Sequence, residues 1–308
     1  MTRSARPRAG AWRGAVVCAV AALLGAASTG CGKAKATTDG ATGSTATVAS
    51  STGTEAPNAG LMNATGASGS PEVATAPGKT GFRFVVQEPK KAELKMYRPL
   101  FDHKRLATVI AALNGIQLPR DVPVVAGECG QVNAMYMPKK HMVSVCYELA
   151  DEFYKKFSSL GHDDQTASDE TLNALTFTVL HEIGHAIIGE LELGVTGGEE
   201  DAVDDFATAF LIDDVPTVGA EWASDGAVAM YLLDSDKGSK KPAYFDEHSM
   251  GEQRFFNILC MVLGSNVEKF KGLVPKPLPE RRAVRCEDEY KKKDKAWNVM
   301  LEPHKKKK

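Results

Sequence analysis

Residues 178–205 read TVLHEIGHAIIGELELGVTGGEEDAVDD, and the reading of this stretch decides how the rest of the chain is understood. It contains His181-Glu182-Ile183-Gly184-His185, an H-E-x-x-H pattern. Residues four apart on an α-helix lie on one face, about one turn from each other. Both imidazoles then reach one metal ion at about 2.0–2.1 Å, the distance zinc requires. Glu182 follows the first histidine and can aim its carboxylate at a water on that metal. Two ligands, a base and an open position are the makings of a hydrolytic zinc site.

A surface helix with two unrelated histidines would show the same five letters. Three features point away from it. Leu172, Leu175, Val179, Ile183, Ala186 and Ile187 recur at helical spacing and predict a core face. Residues 171–180 contain no Pro or Gly, so the helix is formed before it reaches His181. A third ligand then follows: after His185 come fourteen residues, including the breaker at 194–198, before Glu200. Glu200 and Asp204 are four apart on a second helix, expected from 199 to about 211. Glu200 is the candidate third ligand, with Glu199 the alternative. Asp204, one turn on, is placed to accept the free N–H of a ligand histidine and hold its orientation. An acidic helix start also suits the helix dipole, so most of the carboxylates at 199–205 are expected to face solvent.

H-E-x-x-H followed by E-x-x-x-D on the next helix resembles the gluzincin group of zinc peptidases, such as thermolysin. The resemblance implies a glutamate as third ligand, Glu200, and an aspartate, Asp204, supporting a histidine. Together with residues 244–254 and 278–290, the stretch is more closely similar to the bacterial "putative metallopeptidase" domain family, itself of unknown function. That likeness covers about residues 82–290. The interval from His185 to Glu200 is shorter than thermolysin's. The metzincin pattern fails, because Ile188 and Leu191 stand where it needs Gly and a ligand, and the aspzincin G-T-x-D signature is absent. Two further implications come from the gluzincin likeness. Asn133-Ala134-Met135-Tyr136 resembles the edge strand that pairs with substrate, the alternative being a plain hairpin strand. His248, steadied by Asp246, resembles the late histidine that stabilises the oxyanion, with Arg254 a second cationic donor. The bland alternative makes His248 a cap of a helix at 253–263 and Arg254 a surface ion-pair partner.

The chain has 308 residues, 43% hydrophobic and 25% charged, with net charge −2, which gives no global signal for nucleic acid. That average conceals a division. Residues 1–31 read as an export signal: Arg3, Arg6, Arg8 and Arg13 precede an apolar run too short to span a membrane. It ends in Ser28-Thr29-Gly30-Cys31, which resembles a bacterial lipobox with Cys31 as the lipidated residue, although Ser28 stands where Leu is usual. Cleavage by the ordinary signal peptidase is the alternative. Residues 32–80 are mostly Ala, Gly, Ser and Thr, too poor in large apolar side chains to offset ordering entropy, and read as a flexible tether. Residues 81–308 form the folded domain.

Within that domain, strands are expected at 82–86 and 122–125, and a hairpin joins 131–137 to 142–147. Helices are expected at 106–113, 148–160, 219–233 and 253–263, with a polar loop at 161–169 and a last helix over 278–290. Cys129, Cys146, Cys260 and Cys286 make an even set, which in an exported domain suggests two disulfides. Three pairings are possible, and local pairing, Cys129–Cys146 with Cys260–Cys286, frames the most compact segments. No C-x-x-C spacing supports a cysteine-bound zinc.

The resulting expectation is an α+β, zincin-like metallopeptidase domain: a small sheet with an edge strand, then a mostly helical half. Zn²⁺ sits on His181, His185 and Glu200, with Glu182 as general base. The substrate is a peptide or protein, a lipid anchor holds the chain to a membrane, and nucleic acid plays no part. The setting is an exported bacterial protein, lipid-anchored or otherwise periplasmic or secreted. The competing expectation is a non-catalytic exported lipoprotein whose zinc is structural, or a binding role on the same scaffold.

Overall fold

A computed structural model describes residues 80–235 and 251–307. The expected export signal, Cys31 and nearly all of the tether lie outside the described residues, as do Asp246 and His248. The rest is an α+β arrangement, a small four-stranded sheet followed by helices. The strands are β1 (Phe82–Val86), β2 (Val122–Gly127), β3 (Ala134–Met137) and β4 (Met142–Cys146), in the order β1-β2-β4-β3. β1, β2 and β4 run parallel, and β3 pairs antiparallel with β4 as an edge. The period-two signal is visible in burial: Val122, Val124 and Ala126 of β2, and Val143 and Val145 of β4, are all buried. Along β3 every residue is half-buried, as befits a strand with one open side.

Helix α1 (Lys104–Ala112) connects β1 to β2 and buries Leu106, Val109 and Ile110. After β4 come α2 (Tyr147–Ser159), α3 (Asp164–Leu191), α4 (Glu199–Asp214), α5 (Gly219–Ser235), α6 (Gly251–Ser265) and α7 (Cys286–Leu301). Helix α3 departs from expectation in two ways. It starts at Asp164, so most of the expected loop at 161–169 is helical. The reason is Asp163, whose side chain accepts from the Thr166 amide at 2.8 Å and caps the helix one turn before its apolar residues begin. And α3 has no single core face: from Glu170 to Ile188 all but His185 are buried. Such a helix runs through the middle of a domain, not along its surface. Among the described residues, no helix is long and apolar enough to cross a membrane.

The segment at 278–290 is not one helix. Pro279 caps a short turn, Glu280–Ala283, and the chain begins α7 anew at Cys286. That break sets Cys286 against Cys260 of α6, and the two are bonded. Cys129 and Cys146 form the other disulfide. The hairpin register does not explain this pair, but the β2–β4 ladder does. Gly127 is the cross-strand partner of Cys146, and Cys129 lies two residues past it. Helix α7 also braces α4. The Trp297 indole N–H donates to the Ala202 carbonyl at 3.0 Å, and its ring lies 4.8 Å from that of Phe206.

The Cys260–Cys286 bond closes a loop with a sequence separation of 26 residues and ties together the two helices that stand behind α4. Replacing both cysteines by Ala should cost about 3 kcal/mol by loop-closure entropy. The expected outcome is a lower urea midpoint, measured by circular dichroism.

Candidate metal centre

The centre is built where α3 and α4 meet, and their approach depends on Gly184. A Cβ added there would stand 2.9 Å from both Cβ and Cγ1 of Val203 and 3.3 Å from the Phe206 ring. Bare backbone at this turn of α3 lets α4 lie close enough to bring its first turn over the histidines.

Three side chains converge. His181 Nε2 and His185 Nε2 each lie 3.3 Å from a different oxygen of Glu200. The potential ligand atoms of His181, His185 and Glu200 all fall within 4.8 Å of one another. The imidazole planes stand nearly perpendicular, at 81°, with their centroids 4.9 Å apart. Each histidine is also held from behind. His181 Nδ1 is 2.8 Å from Asp204 Oδ1, and His185 Nδ1 is 2.7 Å from Glu199 Oε1. With the δ nitrogens donating to carboxylates, the ε nitrogens are the ones turned to Glu200, and on losing their protons they would offer lone pairs to a metal there. The two adjacent glutamates thus take different places: Glu200 joins the ε nitrogens, and Glu199 sits at the rim, with its side chain half exposed, behind His185.

Glu182 projects toward the same cluster, Oε1 lying 4.0 Å from His181 Nε2. Its other oxygen accepts from the Tyr136 amide of β3 at 2.8 Å. The β3–β4 pairing explains why that amide is available. The Asn133 carbonyl accepts from the Cys146 amide, so the backbone groups of alternate residues, Ala134 and Tyr136, point away from β4. Of the expected substrate-strand pair, Ala134 faces the open edge while the Asn133 carbonyl is used within the sheet.

Arg254 stands behind His181 and beside Glu200, its Nη2 3.3 Å from His181 Nδ1 and its Nη1 4.0 Å from Glu200 Oε2. Its Nε donates to Asp204 Oδ2 at 2.7 Å and its Nη2 to Oδ1 at 2.8 Å, a two-pronged clasp on the carboxylate behind His181. Both groups are buried. In this geometry Arg254 holds the group that holds His181. The clasp joins residues fifty apart in sequence, and no local pattern announces it.

The electrostatics of this arrangement favour a cation. Burial works against a charged imidazole at His181, but its hydrogen bonds with Asp204 and Glu200 overcome burial and push its pKa up to about 9. His185 moves up too, against burial, through Glu200 and Glu199. Burial would raise the Glu200 carboxyl, yet both histidines hold it well below the usual range. Burial likewise opposes ionisation of Asp204, and Arg254 with His181 holds it down at about 2. The same carboxylates that attract a proton to the imidazoles attract any cation placed among them. Two imidazole nitrogens and one carboxylate oxygen are a borderline donor set suited to zinc, and the residues fit such an ion.

Asp204→Ala would loosen His181 and leave Arg254 charged in the interior without its two-pronged partner, facing Glu200 at 4.0 Å. Metal affinity should fall on the order of 10–100-fold, read by competition with a chelating dye. Stability should fall by about 3–5 kcal/mol, read by urea denaturation.

Residues 86–301 match the profile of a protein family described as "Putative metallopeptidase". No curated protein matches the chain, and no solved structure does.

Proposed function

The chain belongs to this "Putative metallopeptidase" family, and from that premise we propose that it is a zincin-like, zinc-dependent peptidase whose metal rests on His181, His185 and Glu200. One observation carries the reading. One carboxylate oxygen of Glu182 lies 4.0 Å from the His181 Nε2 that turns to Glu200, and the other is held by an amide of the sheet's edge strand. A metal with a purely structural role has no use for an ionisable base beside it. Among the described residues, three side chains converge on the site, which leaves room for a water as fourth partner.

Bound at this place, zinc would lower the pKa of a coordinated water toward neutrality and polarise the scissile carbonyl. Glu182 takes the proton from the attacking water and returns it to the leaving amine. The Tyr136 amide keeps one carboxylate oxygen of Glu182 occupied, so the other is aimed at the metal side. Asp204 and Glu199 fix the two imidazoles, and Arg254 keeps Asp204 ionised. An extended peptide would add to the edge of β3, pairing with the backbone of Ala134. Oxyanion stabilisation falls to His248 and Asp246 in this reading, on the strength of the gluzincin likeness alone.

Two disulfides suit an oxidising compartment, in keeping with export by residues 1–31. Lipidation of Cys31 and a tether over 32–80 would hold the peptidase at a membrane surface, where its substrates are peptides or proteins rather than nucleic acid.

The test is metal content and cleavage of casein by the purified 81–308 domain. Wild type should carry one zinc per chain, and dialysis against a chelator should remove both metal and activity. His185→Ala should lose the zinc. Glu182→Gln should keep it while kcat falls on the order of 10²-fold or more, the share expected of a positioned base. A Glu182→Gln variant with wild-type turnover would sink the mechanism.

A further inference from the structure

Five residues beyond His185 on α3 stands Glu190, a buried carboxylate that takes no part in the metal centre. Burying such a charge is unfavourable unless donors surround it. Three do, each from a different part of the chain. The Tyr136 hydroxyl of β3 donates to Oε1 at 2.7 Å. His141, which follows the turn at the hairpin tip, brings Nδ1 to within 2.7 Å of the same oxygen. Arg120, from the segment before β2, places Nε 3.0 Å from Oε2. Arg120 and His141 also touch, Nη1 to Nε2, at 2.9 Å. The Tyr136 ring lies directly on the helix backbone, since a Cβ on Gly189 would come within 3.1 Å of it.

Tyr136 is thus fastened to α3 at two heights. Its amide is bonded to Glu182 and its hydroxyl to Glu190. These two carboxylates are eight residues apart, about 12 Å along the axis. The tyrosine bridges the two positions like a strut laid against the helix, the two glutamate side chains covering the rest of that distance. A slide of β3 along α3 would break both bonds together, and a tilt would break one.

We propose that Glu190 is a positioning residue. Through the Tyr136 hydroxyl it sets the height of β3 against α3. It thereby sets the aim of Glu182 and the register in which an extended peptide pairs with the strand. The inference rests on the peptidase reading for its catalytic consequence, but its structural half does not.

The experiment compares zinc-loaded wild type with Glu190→Ala, Glu190→Gln and Tyr136→Phe. It measures zinc stoichiometry, amide hydrogen exchange over residues 134–137, and kcat and KM on a casein-derived peptide. Zinc should stay at the wild-type level in all four proteins, because none of these side chains touches the metal residues. Exchange at the Tyr136 amide should quicken on the order of tenfold in Glu190→Ala and Tyr136→Phe, as expected for a locally loosened strand. In Glu190→Ala, kcat/KM should fall on the order of 10²-fold, the effect of a misplacement of about 1 Å, with KM up and kcat down together. Glu190→Gln keeps an acceptor for the tyrosine and should recover most of both losses. Unchanged exchange in Glu190→Ala overturns the inference whatever the activity. Faster exchange with wild-type kcat and KM also overturns it, reducing Glu190 to a structural role. A wild type that cleaves nothing while Glu190→Ala still exchanges faster sinks the peptidase reading and upholds the strut. Tyr136→Phe removes a single oxygen and supplies the same readouts if Glu190→Ala does not fold.

Discussion

Helix α3 runs through the middle of the domain with almost every side covered, yet it carries His181, Glu182 and Glu190. Charged and polar groups inside a protein are tolerated only when every one finds a partner, and much of the surrounding architecture follows from that requirement. Asp204 meets His181, Arg254 meets Asp204, the Tyr136 amide meets Glu182, and three donors meet Glu190. The partners arrive from outside α3, on α4, α6, β3, the hairpin tip and the segment before β2. The polar side chains of α3 thus act as attachment points, and the sheet, α4 and α6 are docked onto them as well as onto the apolar core.

This arrangement divides the work around the metal centre. The helices supply the candidate metal ligands and their supports, with α4 contributing Glu199, Glu200 and Asp204 and α6 contributing Arg254. The sheet supplies the opposite wall through its edge strand β3, whose outward Tyr136 amide is taken by Glu182. Glu182 lies on the seam and is bonded across it. On the peptidase reading proposed above, a base hydrogen-bonded to the strand on which a peptide would lie is well placed beside that peptide. The acid helix α4 is in turn held from behind by α7, where Trp297 and Lys293 bond to Ala202 and Asp205. Cross-links fasten both halves, one at the end of β2 and β4 and the other between α6 and α7.

Local sequence determined a good deal. Spacing of four puts His181 beside His185 and Glu200 near Asp204 because helical geometry is the same in any context. Alternation announced the strands of the sheet, and the even cysteine set pointed to two disulfides. The start of α3 was misread because polar residues in a capped first turn look like a loop, and the last helix was misread because nothing local marks the break before Cys286. Only the tertiary structure decided the rest: that Glu200 and not Glu199 meets both ε nitrogens, that Arg254 turns to Asp204, and that Tyr136 bridges Glu182 and Glu190. These contacts join residues tens of positions apart, across helix and strand faces whose relative rotation and height are set by packing. A one-residue turn of either helix would exchange which glutamate points inward, and no pattern within either segment carries that angle.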